Sequence, residues 1–180
     1  MPAGGTGLVL RGLRKEPATI GKWHLGWDLT YKEGKAKTVD NIDFTKRVAN
    51  GPTDRGFDYF YGLTSPSGPP HLYMVNDMAE KQPNTRFEES GGGLYKIKGG
   101  IGHSDWSADG MQPHLADKML EYLDKNKDSD KPFFLYMALT APHIPLFPSK
   151  EFKGKSKIGD YGDLVMMIDD IVGRVNRKLK

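Results

Sequence analysis

A lysine and a histidine two residues apart stand between glycines in Gly21-Lys22-Trp23-His24-Leu25-Gly26. In an extended segment positions i and i+2 leave the same face, so a fixed cation and an imidazole would stand side by side. The flanking glycines, lacking Cβ, allow a sharp bend and a close approach of backbone to a ligand. A second imidazole, His143, lies between Pro142 and Pro145, whose rings restrict the backbone around it. One permanent cation and two histidines suit an anionic tetrahedral group, with Lys22 as a point charge and a histidine as hydrogen-bond donor or general acid. Spacing alone leaves plainer readings open: a surface turn with a solvated Lys22 and a packed Trp23, and a loop His143 bonded to backbone.

Other polar groups make weaker sites. Asp169-Asp170 resembles a paired-carboxylate metal site, but neighbours on a helix diverge by about 100°, so at most one faces inward. A surface acid beside a capping or bridging acid is the expected outcome. His71, Asn76 and Asp77 fit a turn better than a cleft. His103-Ser104-Asp105-Trp106 and His114 lack ligand spacing, and His24 with His143 offers zinc no third ligand. Gly91-Gly92-Gly93 has no following P-loop Lys-Ser/Thr and reads as a flexible tip.

The elements that must position these groups follow from pattern. Residues 18–20 form a short apolar strand ahead of Lys22, and open α/β sheets place their sites at such strand ends. Residues 133–139 are apolar on both faces, as expected of a central strand in a covered sheet, and lead straight to His143. Leu115, Met119, Tyr122 and Leu123 recur at i, i+4, i+7 and i+8, one face of an amphipathic helix. Leu164, Val165, Ile168, Val172, Val175 and Leu179 mark a second. Leu8, Leu10 and Leu13 hint at a poor helix that Pro17 would end. Residues 28–55 read as a polar surface excursion, the aromatics of residues 56–63 as a loop packed on the body, residues 71–77 as a short strand, and residues 78–107 as a long exposed insertion able to shape a cleft. Helix, buried strand, loop and helix in succession argue an α/β layered fold.

Composition narrows the classes. The 180 residues fit one domain, and 37% hydrophobic with 11% aromatic residues suffices for a core. Twenty-six basic and 23 acidic residues are interspersed for a net charge of +3, without the basic stripe that nucleic-acid binding requires. The lack of cysteine excludes disulfides and thiolate metal sites. No stretch approaches the ~20 apolar residues of a membrane span, and the first residues carry no signal-peptide core.

Four ordered blocks, GKWHLG (21–26), NGPTDRGFDYFYGL (50–63), KPFFLYMALTAPHIPLFPSKEFKGKS (131–156) and YGDLVMMIDDIVGRV (161–175), resemble the formylglycine-dependent sulfatases of the alkaline-phosphatase superfamily, especially the arylsulfatase branch. The resemblance covers residues 18–180, while residues 1–17 match poorly. It implies an α/β/α sandwich with a mostly parallel mixed sheet, hydrolysis of a small-molecule or glycan sulfate ester, and a bound calcium ion. In such enzymes the hydrate of formylglycine, made from a Cys or Ser, attacks sulfur. By position Lys22 resembles the lysine that contacts sulfate and formylglycine, and His24 the histidine on the formylglycine hydroxyl. His143 resembles the sulfate-binding histidine near the leaving-group oxygen. Relatives of this kind are periplasmic, secreted or lysosomal.

Three family features are missing. The Cys/Ser-x-Pro/Ala-x-Arg nucleophile motif has no counterpart, nor does the early Asp-Asp calcium pair. The later Asp-Asn metal pair would lie beyond Lys180, so the calcium ligands are not in this chain. The expected picture is the central part of a sulfatase catalytic domain, inactive in isolation. The alternatives are a phosphodiesterase or phosphonate hydrolase of the same superfamily, and a non-catalytic anion-binding protein.

Overall fold

A computed structural model describes residues 16–180. The helix expected over residues 8–13 therefore lies outside the described residues, and Pro17 stands inside a strand. Seven strands and two helices run in the order β1 (Glu16–Lys22), β2 (Tyr59–Leu63), β3 (Met74–Val75), β4 (Met78–Ala79), β5 (Thr85–Phe87), β6 (Gly100–Gly102), α1 (Met111–Asn126), β7 (Phe133–Ala138) and α2 (Asp160–Lys178). The main sheet has the order β4-β3-β2-β1-β7, and β5 pairs with β6 in a separate ribbon. β1 runs parallel to both β2 and β7, whereas β2–β3 and β3–β4 are antiparallel. The α/β class and mixed sheet match the expectation, with parallel pairing confined to the three strands that lead to the candidate residues.

Side-chain alternation decides what each sheet face carries. Ile20, Tyr61 and Leu63 point to one face, where they meet Leu115 and Met119 of α1 and Leu164, Met167 and Ile171 of α2. Burial of each such side chain contributes roughly 1.5–3 kcal/mol relative to exposure. Phe60 and Met74 point to the other face and join Trp23, Ile42, Phe44 and Val48. Residues 28–55 are thus more than a polar excursion, because three of their apolar side chains roof the sheet. The aromatic run packs as expected, but Tyr59, Phe60 and Tyr61 do so within strand β2 and not as a loop.

Two helix signals were read nearly to their ends. α1 tolerates Pro113 because the first-turn N–H groups have no intrahelical partner to lose. α2 opens with Asp160 and Asp163 at its positive end and closes with Arg177 and Lys178 at its negative end. Its buried stripe is Leu164, Met167, Ile171 and Val175, so Val165, Val172 and Leu179 of the expected face stay exposed. The two helices share contacts to the sheet and are laced by Arg174 to Asp117 at 2.8 Å and Lys178 to Asp124 at 2.7 Å.

β7 departs from its expected central position. Among the described strands it is the sheet's end, with Phe134 38% and Tyr136 52% exposed. Leu135 and Met137 pack on the helix side, but nothing among the described residues roofs the opposite face of this strand. The insertion over residues 78–107 is also more ordered than an exposed loop. It contains β4 to β6, and it buries Ile97 and Trp106.

Candidate anion site at the parallel strand ends

The parallel register brings the candidate residues to one edge. Gly21 pairs with Ala138 of β7, and Lys22 pairs with Leu63 of β2. All three strands therefore end together, and the segments carrying His24, Thr64–Pro70 and His143 leave from their C-terminal ends. This is where parallel α/β sheets place ligands. The close packing depends on glycine: a Cβ on Gly21, at φ +131°, would lie 1.9 Å from the Ala138 carbonyl oxygen. A Cβ on Gly62 would lie 1.7 Å from the Gly21 carbonyl oxygen. Gly21 thus admits a neighbouring strand where the sequence pattern had suggested a ligand.

Beyond Lys22 the chain turns on its tryptophans. The Trp23 backbone N–H continues the pairing to the Leu63 carbonyl at 3.0 Å, and the buried indole donates to the Gly26 carbonyl at 3.1 Å. Burial of Trp23 anchors the turn and leaves His24 exposed beside it. Lys22 is half-buried. Their side chains make no ion pair or hydrogen bond among the described residues. The unpaired ammonium of Lys22 at a strand end is free to meet an anion.

His143 is held by its own turn. Its backbone N–H donates to the Thr140 carbonyl at 3.2 Å, and Nδ1 lies 2.5 Å from the Ile144 carbonyl. A carbonyl only accepts, so Nδ1 carries the proton and Nε2 is left outward. Nε2 then accepts in the neutral ring and donates only in the imidazolium. Thr140, buried at the base of the turn, donates its N–H to Gln112 Oε1 of α1 at 3.4 Å. The helix that covers the sheet thereby also fixes where the His143 turn begins.

The carboxylates do not join this edge. Asp169 is exposed, and Asp170 faces Arg177 at 4.0 Å, the surface-and-bridging outcome expected of the pair. Asp163, fully buried, accepts the N–H groups of Gly154 and Ser156 at 2.6 Å each and so anchors the loop ahead of α2. Asn76 accepts the Phe60 N–H, and Asp77 pairs with Arg47, both turn roles. His71 is 1% exposed, bonded through Nε2 to the Lys98 carbonyl at 2.7 Å, and burial holds its pKa below the ordinary histidine range. Among the described residues no three His, Asp or Glu side chains converge as a group that could hold a metal ion.

A second ionisable group escaped the sequence reading altogether. Tyr61 lies between Glu80 Oε2 at 2.7 Å and His114 Nε2 at 2.6 Å. The carboxylate only accepts, so the phenol donates to Glu80 and accepts from His114. Lys118 sits 5.2 Å from the Tyr61 ring centroid, and Tyr73 stacks on His114. The group borders a cavity of about 290 Å³ that also meets Lys81, His103 and Asp105. Burial first, then the Glu80 contact, holds the Tyr61 phenol far above its ordinary pKa, so it stays neutral. Burial also lowers His114. No spacing rule joins positions 61, 80 and 114, because only the sheet and α1 bring them together.

Comparison with known proteins decides the family. The Sulfatase family model matches residues 9–180. The chain belongs to the sulfatase family. Among relatives, N-acetylgalactosamine-6-sulfatase of Sus scrofa is 30% identical over 93% of this chain and 27% of its own length. N-acetylgalactosamine-6-O-sulfatase of Bacteroides thetaiotaomicron is 26% identical over 89% of this chain and 36% of its own. An arylsulfatase of Hemicentrotus pulcherrimus is 26% identical over 89% of this chain and 25% of its own. The chain thus spans about a quarter to a third of the length of these relatives. A solved Bacteroides thetaiotaomicron protein of glycosaminoglycan metabolism shares the fold, with a TM-score of 0.72 at 20% identity over 94% of this chain and 40% of that one. A Pseudoalteromonas sulfatase structure gives 0.63 at 21% identity over 96% and 34%. Among the described residues of this sulfatase-family chain, no helix is long and apolar enough to cross a membrane.

Proposed function

We propose that this chain supplies the cationic wall of a sulfate-ester hydrolase site. The observation that carries this reading is the parallel register that ends β1 and β7 side by side, with Lys22 on one and the His143 turn on the other. Lys22 neutralises sulfate oxygens as a compact charge. His143, protonated at Nδ1 by its own turn, gains a second donor at Nε2 as the imidazolium and can place it on a sulfate or leaving-group oxygen. S–O cleavage leaves the electron pair on that oxygen, and a donor set in advance there lowers the barrier. His24, exposed on the same edge, is placed to receive or return a proton at the nucleophile. The nucleophile itself has no counterpart among these residues, which contain no cysteine. Calcium in the complete enzyme would supply Lewis-acid stabilisation.

The relatives named for N-acetylgalactosamine 6-sulfate support a sulfate ester, and a glycan one, over a phosphodiester, which the same charges would also bind. Titration of the isolated chain with inorganic sulfate, followed by NMR, tests the reading. Shifts should centre on Lys22, His24 and His143, and 4-nitrophenyl sulfate should bind without turnover, with or without calcium. Turnover abolished by Lys22→Ala would overturn the assignment of an incomplete site.

A further inference from the structure

The sequence Gly91-Gly92-Gly93 was expected to be a flexible tip, yet the residues after it are tied to the His143 segment at two points. The Leu94 carbonyl accepts the Leu146 N–H at 2.8 Å, three residues after His143. The Tyr95 ring meets Phe147 edge-on at 6.1 Å between centroids. The Asp160 carboxylate at the start of α2 acts on the Tyr95 hydroxyl and raises the pKa of the phenol. Held at its ring by Phe147, Tyr95 still leaves 41% of its surface exposed, with Leu94 at 54% and Ile144 beside His143 at 43%. Large apolar side chains fixed in the open, on a segment bonded to the one that carries His143, lack a partner of their own.

We infer that Tyr95, together with Leu94 and Ile144, is the platform for the sugar ring that carries the sulfate, and so a specificity-determining residue of the site proposed above, on which this inference rests. A pyranose presents a face of C–H groups bordered by hydroxyls. That face suits a fixed tyrosine ring with aliphatic neighbours, because apolar area is covered without stripping water from the hydroxyls. Immobilising the ring beforehand removes an ordering cost from binding.

The test is NMR titration of the 180-residue chain with inorganic sulfate, methyl galactoside 6-sulfate and 4-nitrophenyl sulfate. The sugar sulfate should bind roughly tenfold more tightly than inorganic sulfate. Tyr95→Ala should erase that advantage and leave inorganic sulfate binding unchanged, while Tyr95→Phe, which keeps the ring, should retain most of it. Unaltered amide shifts in β1, β2 and α1 show that each variant is folded. Equal affinity for sulfate and sugar sulfate in the native chain, or an advantage that survives Tyr95→Ala, overturns the platform and leaves the anion site standing. An equal Tyr95-dependent gain for 4-nitrophenyl sulfate overturns the assignment to a sugar ring. If inorganic sulfate moves none of Lys22, His24 and His143, the anion site fails and the platform falls with it.

Discussion

The two ionisable groups of this chain are built on opposite principles. Around Tyr61, donors and acceptors are matched: Glu80 accepts the phenol's hydrogen bond, His114 donates back, and Lys118 covers the ring. At the strand ends, Lys22 and His24 meet no partner among the described residues, and His143 satisfies one nitrogen within its own turn and leaves the other outward. Matched groups in a low-dielectric setting hold a fold together. Unmatched groups held at a strand edge by buried neighbours such as Trp23 stay open to a ligand. The denser cluster is thus the structural one, and the sparser edge is the candidate site.

The largest expected effect lies on the structural side. Tyr61→Ala removes a ring only 1% exposed and should cost about 3–5 kcal/mol of unfolding free energy, measured by urea denaturation. A loss below about 1 kcal/mol would show that the cluster does not support the sheet.

Acidification should then weaken the buried side of the comparison. Burial depresses His71 and His114 below the 6.5 of a free histidine, so the unfolded chain takes up protons first as the pH falls. Stability is full above pH 6.5 and declines below it until the folded-state pKa values are passed, by up to about 1.4 kcal/mol per pH unit for each histidine. Urea midpoints at pH 7.5 and 5.5 check the direction, and equal or higher stability at pH 5.5 would show that the buried histidines do not resist protonation.

Smaller effects sharpen the contrast between two lysines. Lys22→Ala should weaken sulfate binding roughly tenfold, about 1.4 kcal/mol, with stability changed by less than about 0.5 kcal/mol. Lys118→Ala should do the reverse, losing about 0.5–1 kcal/mol of stability through its contact with Tyr61 and leaving sulfate binding intact. Equal losses of sulfate affinity in both variants would place the anion elsewhere.

Signals that act over a few residues were readable. The 3.6-residue spacing of Leu115 and Met119 located α1, and the apolar run before Lys22 located the centre of β1. The fate of Val165 and Val172 was not readable, because α2 carries apolar residues around more than half its girth and only the position of α1 and the sheet selects which stripe is covered. The expectation of a central β7 failed for a related reason. An apolar run states that both faces tolerate burial, whereas the neighbours present decide whether they are buried.

Residue chemistry alone determined that Lys22, His24 and His143 could serve an anion, since charge and proton capacity belong to each side chain wherever it stands. Strand register decided that they share an edge, because pairing Gly21 with Ala138 aligns two segments more than a hundred residues apart in sequence. The tie between Leu94 and Leu146 likewise turned a run of glycines into the arm that holds Tyr95 beside that edge. Such pairings depend on complementary backbone and packing between distant segments, which no local pattern encodes.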